Sequence, residues 1–429
     1  MRRPNILFIT CHDLGRHLGC YGHPTIHSPA LDTLAAQGVR LANAFCTAPQ
    51  CSPSRAALHT GRYPHATGVL GLAHPPFGWR LAPPEKHLAQ RLAEAGYLTA
   101  LVGMQHLIEH GHAEELGYAR VWPVAPAREE AATAATALRE LAADARPFYL
   151  EVGFEEPHRP YDRDGVQPDA GQGVEVPPYL PDGPEARRDF AAFQGAVRAM
   201  DAAVGRILAA LDDQGPAAGT WVVFSADHGI AMPRAKGTLY DPGIEVAMLM
   251  RWPDGGLQGR PPFAPLMSNV DIVPTMLEGL GMPLPDTLQG RSLWPLLHGA
   301  ATTPRAEIFA EKTFHTYYEP MRAIRTTTHK YIANFEVSTA VDVPADVRES
   351  PIYPLMLPAL NRERPYVELY DLVADPGEQT NLAGRPEVAA LEADLRGRLL
   401  RWMRDTDDPL LRGPVASPYY YEALRRLEA

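Results

Sequence analysis

A cysteine segment near the N-terminus combines a thiol, two arginines and the start of a helix. Cys51 is followed by Ser-Pro-Ser and then Arg55, and Arg62 comes shortly after. Proline suits the first turn of a helix, so Pro53 predicts that a helix begins in this segment. An anion near that N-terminus would meet free N–H groups and the positive end of the helix dipole. The pattern indicates a nucleophile that acts on an anionic group, although a buried structural cysteine at a helix start would look similar.

Four short apolar runs, at residues 6–10, 99–102, 148–152 and 221–224, predict buried parallel strands. Each run is followed by side chains that can bind a metal or move a proton. These side chains are His12 and Asp13, Gln105 and His106, Glu155, Glu156 and His158, and Asp227 and His228. Ligands of open α/β sheets bind outside the carboxyl ends of the strands. Any one of these groups could consist of ordinary polar loop residues, but four groups at the ends of four strands predict a single site.

Helical patterns separate the predicted strands. Ser28 is a suitable N-cap for a helix that begins at Pro29, and the spacing of apolar residues predicts a longer amphipathic helix over 188–213. Alternation of strands and helices predicts an α/β domain with a large, mostly parallel sheet covered by helices.

The C-terminal part of the chain has a different pattern. Residues 296–304 form the predicted junction, and strand-like pieces follow at 323–326, 330–334 and 368–370. A final helix would place Leu395, Leu399 and Trp402 on one face, where tryptophan is expected to be core. We therefore predict a catalytic α/β domain at 1–303 and a smaller α+β subdomain at 304–429.

Composition restricts the class of partner and the compartment. Forty basic and 51 acidic residues give a net charge of -11, which argues against a nucleic-acid or anionic-membrane binder. The four cysteines, Cys11, Cys20, Cys46 and Cys51, have neither disulfide-framework nor zinc-site spacing, which favours a reducing compartment. The first apolar run is too short for a signal peptide or a membrane span. We expect a soluble, cytoplasmic protein, and the sequence leaves a homo-oligomer open.

The cysteine segment resembles the signature of the sulfatase family, Cys-x-Pro-Ser-Arg followed by Thr-Gly-Arg. Further segments resemble the family in chain order, namely Pro4-Asn5-Ile6-Leu7-Phe8-Ile9, Glu156-Pro157-His158, Ser225-Ala226-Asp227-His228-Gly229 and Lys236 with Leu239-Tyr240. Late segments such as Pro320-Met321-Arg322 and Glu368-Leu369-Tyr370-Asp371 resemble the heparan N-sulfatase (N-sulfoglucosamine sulfohydrolase) branch. The resemblance covers nearly the whole chain, and its most specific parts are residues 51–62 and 225–229.

The resemblance implies an alkaline-phosphatase-like fold and a defined reaction. Cys51 would be oxidised to formylglycine by a separate maturation enzyme, and the hydrated aldehyde would attack sulfur beside one divalent metal ion. The implied metal ligands are His12, Asp13, Asp227 and His228. Arg55 and Lys236 would hold charge, with Arg62 adding more, while His106 and His158 would serve the leaving group and the sulfate.

Two positions depart from the family pattern. His12 stands where the family has the first aspartate of its metal pair, and Met104 stands where it has a sulfate-binding lysine. The resemblance implies Ca²⁺, but an imidazole in place of a hard carboxylate weakens the case for it and leaves Mn²⁺ and Zn²⁺ as alternatives. Loss of the lysine removes one positive charge from the cleft.

The expected function is hydrolysis of a sulfate ester or sulfamate, with an N-sulfoglucosamine-type sugar as one candidate substrate. A phosphonate monoesterase or phosphodiesterase of the same superfamily is an alternative, because phosphoryl and sulfuryl groups share tetrahedral geometry. A catalytically silent binding protein is a third alternative. Met104 favours it, whereas the retention of a full catalytic set argues against it, namely Cys51, Arg55, Asp13, Asp227 and His106.

The remaining candidates have simpler interpretations. Cys11 is predicted to be a structural thiol. Several histidines are not expected to touch substrate, namely His17, His23, His27, His65, His74 and His87. His315, Tyr317 and Tyr318 belong to the small subdomain, which overhangs the cleft in relatives, so the two tyrosines are candidates for stacking on a sugar.

Overall fold

The strands of the protein form two separate sheets. The computed structural model describes residues 3–109, 111–215, 217–336 and 341–428. The strands are β1 (Asn5–Cys11), β2 (Val39–Phe45), β3 (Leu98–Gly103), β4 (Arg120–Trp122), β5 (Phe148–Gly153), β6 (Thr220–Ala226), β7 (Met248–Arg251), β8 (Phe263–Ser268), β9 (Glu307–Phe314), β10 (Tyr318–Thr326), β11 (His329–Asn334) and β12 (Val367–Asp371).

Helices connect and cover these strands. They are α1 (Pro29–Gln37), α2 (Cys51–Thr60), α3 (Pro64–Thr67), α4 (Leu88–Glu94), α5 (Ala127–Ala142), α6 (Pro184–Asp213), α7 (Asp241–Ile244), α8 (Ile272–Gly279), α9 (Trp294–Leu297), α10 (Ala345–Arg348), α11 (Tyr353–Leu360), α12 (Ala389–Asp405) and α13 (Pro418–Glu428). None of the described helices combines the length and apolar character that a membrane crossing requires.

The large sheet has eight strands in the order β4-β3-β5-β1-β6-β7-β2-β8. Its neighbouring strands pair in parallel except where β7 pairs with β6 and with β2. The four strands predicted from apolar runs are β3, β5, β1 and β6, which are adjacent in this order. Their carboxyl ends therefore lie side by side at one edge, and the prediction of a mostly parallel α/β sheet is confirmed.

Helices cover the central strands on both faces. Every residue of β3, β5 and β6 is buried, as expected when both sides of a parallel strand are packed. Helices α1, α5 and α6 pack together in one layer, while α2 packs with α3 and α8. The predicted long helix is α6, which begins four residues earlier than expected, at Pro184.

The start of α1 is capped differently from the prediction. The helix does begin at Pro29, but the Ser28 side chain does not cap it; its hydroxyl accepts from the Gly19 N–H instead. The carboxylate of Asp201 on α6 accepts from the N–H groups of Ala30 and Leu31 at 3.0 and 2.9 Å. A tertiary contact thus satisfies donors that a local cap was expected to satisfy.

The second sheet is antiparallel, in the order β12-β11-β10-β9, and α12 packs on it. Leu395, Leu399 and Trp402 of α12 are buried as predicted. The part of the chain that carries the large sheet, up to α9, is called the large lobe here, and the part from β9 onward is called the small lobe. The Trp402 ring meets the Tyr63 ring of the large lobe at a centroid distance of 4.9 Å, so the two lobes share apolar contacts. The chain passes from the large sheet to the small one between β8 and β9. The domain boundary at 303/304 stays a prediction.

Candidate active site

The loop after β1 places Asp13 at the edge of the large sheet in an unusual backbone conformation. Asp13 has a φ of 50°, a left-handed value that is rare for a residue with a side chain. Its N–H donates to Asp227 Oδ1 at 3.0 Å, which ties this loop to the loop after β6. Strain of this kind is kept only where surrounding contacts hold it, and it is concentrated at functional sites.

Asp227 connects the β1 and β6 loops with α2. Its Oδ1 also accepts from the His228 N–H at 2.8 Å, and its Oδ2 lies 3.2 Å from Arg55 Nε. Burial alone would raise the pKa of Asp227, but neighbouring positive charge, including that of Arg55, and the hydrogen bond from the Asp13 N–H hold it below its ordinary value. Asp227 is therefore an anion in a fully buried position. Arg55 supports this carboxylate from within α2 and also donates to Thr10 Oγ1 at 3.1 Å.

The His228 ring is held in one tautomer, which makes this cluster suited to a cation. Its Nδ1 lies 2.9 Å from the Gly229 carbonyl, which can only accept, so Nδ1 carries the proton. The Nε2 lone pair then faces Asp13 Oδ1 at 3.1 Å and Cys51 Sγ at 3.3 Å. A lone pair facing a carboxylate oxygen is repulsive unless a positive charge, a proton or a metal ion, lies between them.

The four predicted metal ligands converge around this point. Ligand atoms of His12, Asp13 and Asp227 lie within 4.8 Å of one another, as do those of Asp13, Cys51 and His228. His12 Nδ1 and Asp13 Oδ1 are buried without a hydrogen-bond partner. Burial, followed by the charge of Arg55, lowers the pKa of His12 well below its ordinary value, so its ring is neutral and keeps a lone pair. The residues fit one divalent ion held by two nitrogens and two carboxylates.

The two departures from the family pattern are in direct contact. His12 Nε2 lies 2.8 Å from Met104 Sδ. The His12 ring and the Met104 side chain are both uncharged. The site therefore lacks both the aspartate and the lysine that the family has at these two positions. The net charge of this part of the cleft is therefore the same as with an aspartate–lysine pair.

Cys51 is the first residue of α2, and its side chain is buried against the metal-ligand cluster. Gln50, the N-cap residue, makes no side-chain cap hydrogen bond, so the helix leaves N–H groups for an anion. Burial raises the pKa of the Cys51 thiol well above its ordinary value, although Lys236 acts in the opposite direction. The unmodified thiol is accordingly protonated and a weak nucleophile.

Lys236 is held between two carboxylates from different lobes. Its Nζ lies 2.8 Å from Asp13 Oδ2 and 2.6 Å from Asp346 Oδ2. Burial opposes the charge, but Asp13 and Asp346 raise the pKa of Lys236 well above its ordinary value. Asp346 lies in α10 of the small lobe, and sequence reasoning missed it. No local motif marks this residue, because only the packing of the lobes brings it to the site.

Two predicted histidines complete the site. His158 Nε2 lies 3.4 Å from Asp346 Oδ2 and 3.7 Å from Asp13 Oδ2. The His106 ring lies 5.5 Å from the His12 ring and, like Asp13, has a left-handed φ, here 59°. All nine predicted site residues are thus brought together.

The surroundings of the site differ from the sequence analysis in one respect. His74, whose expected lack of contact with substrate stays a prediction, stacks on His106, with 2.9 Å between His74 Nδ1 and His106 Nε2. Arg62 does not add charge to the cleft, because it pairs with Glu85 beyond the end of α2. Burial, followed by the charges of Arg55 and His74, lowers the pKa of His106 well below its ordinary value.

A second buried cluster lies away from this site, beneath α2 and α4. His59 Nε2 is 3.3 Å from Glu151 Oε1, and the His59 ring stacks on His87 at 4.6 Å. His87 Nδ1 accepts from the Ala89 N–H at 3.0 Å, so the neutral His87 ring carries its proton on Nε2 and has no free lone pair for a metal. We interpret this cluster as a polar part of the core.

The second cluster predicts acid sensitivity of the fold. Burial lowers the pKa of His59 and of His87 to about 3, against roughly 6.5 in an unfolded chain. Between these values the unfolded chain binds more protons, so stability falls as the pH falls. Each histidine contributes roughly 1 kcal/mol per pH unit. The free energy of unfolding would be measured in urea at pH values from 7 to 4. We expect its decrease per pH unit to be smaller in His59→Leu than in the unmodified protein, by roughly 1 kcal/mol.

The matched control for this experiment is His112→Leu, which removes an exposed histidine. We expect its pH slope to equal that of the unmodified protein. Equal slopes for His59→Leu and the unmodified protein would show that His59 is not buried in neutral form.

The fold of the protein is alkaline-phosphatase-like. The sulfatase family model matches residues 4–282, and a model described as N-sulphoglucosamine sulphohydrolase, C-terminal, matches residues 234–405. The chain belongs to the sulfatase family, whose members are hydrolases that act on sulfate esters and sulfamates.

Individual relatives agree with this assignment. The chain is 29% identical to human N-sulphoglucosamine sulphohydrolase, over 96% of this chain and 92% of that protein. It is 31% identical to human arylsulfatase A, over 89% of this chain and 84% of that protein. The solved structure of a putative sulfatase from Bacteroides thetaiotaomicron matches with a TM-score of 0.77 at 24% identity, over 97% and 95% of the two chains.

Proposed function

We propose that the protein hydrolyses a sulfate ester or sulfamate of a sugar, with a nucleophile derived from Cys51 beside one divalent metal ion. The observation that carries this proposal is the position of Cys51 Sγ, 3.3 Å from His228 Nε2, at the N-terminus of α2 and beside Asp13. A nucleophile precursor, the proposed metal ligands and a buried lysine therefore meet at one point.

The sugar class is supported by the relatives. One relative is named for N-sulphoglucosamine, and the match to the C-terminal model of that enzyme includes most of the small lobe. The small lobe supplies Asp346 to the site, so the part of the chain that contacts the catalytic cluster is included in this likeness.

The residues of this chain have distinct roles in the proposed reaction. When present, the metal ion and a formylglycine formed from Cys51 would supply a polarised oxygen nucleophile. Lys236 places a positive charge beside the anionic sulfate, and Arg55 keeps Asp227 oriented and ionised. His106 serves the leaving group: its ring is neutral in the free protein, and it would take up a proton when the anionic sulfate binds and pass that proton to the departing oxygen or nitrogen. His158 binds a sulfate oxygen. Water supplies the remaining oxygen and proton, giving sulfate and an alcohol or amine.

The donor atoms indicate which metal ion is used. His12 and His228 bring imidazole nitrogens to the site, whereas Ca²⁺ prefers oxygen ligands only. Two nitrogens and two carboxylates suit a borderline ion, so we propose Zn²⁺ or Mn²⁺. Formation of formylglycine from Cys51 requires the maturation enzyme, which is part of the proposal.

A comparison of substrates tests the proposed reaction. Initial rates would be measured with a sugar sulfate, a sugar sulfamate, an aryl phosphodiester and a phosphonate monoester, using protein produced with a maturation enzyme. We expect kcat/KM for the best sulfur substrate to exceed that for either phosphorus substrate by at least about 100-fold, or about 3 kcal/mol of transition-state binding. A higher value for a phosphorus ester would assign the alternative esterase activity, and no turnover of any substrate would indicate a silent binding protein.

A further inference from the structure

A small cavity of about 250 Å³ is lined by three segments of the chain. The segment 76–79 of the large lobe forms one wall, and the turn between β9 and β10 forms the other. The first turn of α13 contributes to the rim. Most of the lining is aromatic, namely Phe77, Trp79, Phe314, Tyr317, Tyr318 and Tyr419.

The inner rings of this cavity are fixed by contacts with one another. Phe314 lies between Trp79 and Tyr318, with centroid distances of 4.9 Å to each. The Tyr318 hydroxyl accepts from the Val415 N–H at 3.1 Å. The wall is therefore formed before a ligand arrives, which reduces the ordering cost of binding. Tyr317 is 61% exposed at the mouth, so one of its faces is available.

A chain of ring contacts links one wall of the cavity to the candidate site. On one wall, His74 stacks on His106 at 5.1 Å and meets the edge of Phe77 at 5.4 Å. On the other wall, His315 lines the cavity, and burial, followed by the charges of Lys312 and Lys236, lowers its pKa well below the ordinary value. A group that leaves from a sulfur atom near Lys236, with His106 as its proton donor, would extend into this space.

The lining chemistry restricts what the leaving group can be. Among the described residues that line the cavity, none is Asp, Glu, Lys or Arg, and the hydroxyls of Thr316 and Ser417 are among its few polar groups. A second sulfate or carboxylate would find no cation there, and the net charge of -11 disfavours a polyanionic chain. An uncharged sugar ring fits, because its apolar face can pack on an aromatic ring while its hydroxyls bond at the edge.

We propose that this cavity is a subsite for an uncharged pyranose ring, and that the enzyme acts on singly sulfated saccharides rather than on polysulfated chains. The choice of substrate rests on the proposed sulfatase function, whereas the binding of the sugar ring does not. Tyr317 forms the outer stacking surface, and the Trp79–Phe314–Tyr318 group forms the inner wall.

Binding of an unsulfated sugar tests the subsite without catalysis. N-acetylglucosamine would be titrated into the unmodified protein and followed by tryptophan fluorescence and saturation-transfer NMR. We expect Tyr317→Ala to weaken binding about tenfold, the loss expected for one aromatic contact with a ligand. Tyr366→Ala is the matched control, because Tyr366 is 72% exposed and does not line the cavity. Unchanged affinity in Tyr317→Ala would overturn the subsite.

Kinetics test the restriction to singly sulfated sugars. We expect Tyr317→Ala to raise KM for a monosulfated monosaccharide about tenfold while kcat stays within about twofold. Methyl sulfate has no ring, so its KM should not change. A lower KM for a polysulfated oligosaccharide than for the monosulfated sugar would overturn the restriction. The binding of N-acetylglucosamine could depend on Tyr317 while no substrate releases sulfate. This result would support the subsite and overturn the proposed reaction.

Discussion

Cys51→Ala is expected to abolish hydrolysis, lowering kcat by about 10⁴-fold or more, as when the nucleophile of a covalent enzyme is removed. The reason is that Cys51 is the precursor of the attacking group, while the neighbouring side chains only bind and orient. The substitution removes one sulfur atom from a buried position, so the protein should remain folded. Turnover of the best sulfur substrate would be measured together with the thermal midpoint.

Cys20→Ala is the matched control for this prediction. Cys20 is half-buried, has a free thiol and lies outside the candidate site. Its backbone N–H donates to Asp32 Oδ1. We expect unchanged kcat for Cys20→Ala. If Cys51→Ala kept more than about a tenth of the activity, the nucleophile assignment would be wrong.

Asp227→Asn is expected to remove the metal and to lower kcat/KM by about 10³-fold, the order of effect when a group that stabilises the transition state electrostatically is lost. Asp227 lies next to His12 and accepts from the N–H groups of Asp13 and His228, so it orients every other ligand as well as supplying charge. The metal content, measured by elemental analysis, should fall from about one zinc or manganese ion per chain to almost none.

The control variant for the metal site is Asp394→Asn, which changes an exposed carboxylate on α12. It should keep both the metal and the activity. Because Asp227→Asn leaves the buried Arg55 without its partner, circular dichroism must first show that the variant is folded. A folded Asp227→Asn variant that retains the metal in full would contradict the assignment of this ligand.

Much of the fold could be predicted because its signals are local. The runs that became β1, β3, β5 and β6 are short and continuously apolar, as expected of strands packed on both faces. The rule that ligands bind at the carboxyl ends of such strands predicted that the metal-ligand candidates, His106 and His158 would lie together. Cys51, Arg55 and Lys236 were assigned to the site from the family resemblance.

The residues that were missed depend on contacts between distant segments. Asp346 reaches Lys236 only because the small lobe packs over the edge of the large sheet, and His74 reaches His106 from a long loop. The cap of α1 comes from Asp201 for the same reason, although Ser28 has the favoured residue type. Arg62 belongs to the family signature, but it follows the end of α2, and its side chain pairs with Glu85.

The most direct test of the account is the mass of the peptide that contains Cys51. The protein would be produced with a formylglycine-generating enzyme, digested and analysed by mass spectrometry, and Cys20 would serve as an internal unmodified thiol. The account predicts a loss of about 18 Da at Cys51, the change from a thiol to an aldehyde. An unmodified Cys51 in fully active protein would contradict it, because hydrolysis would then proceed without the proposed nucleophile.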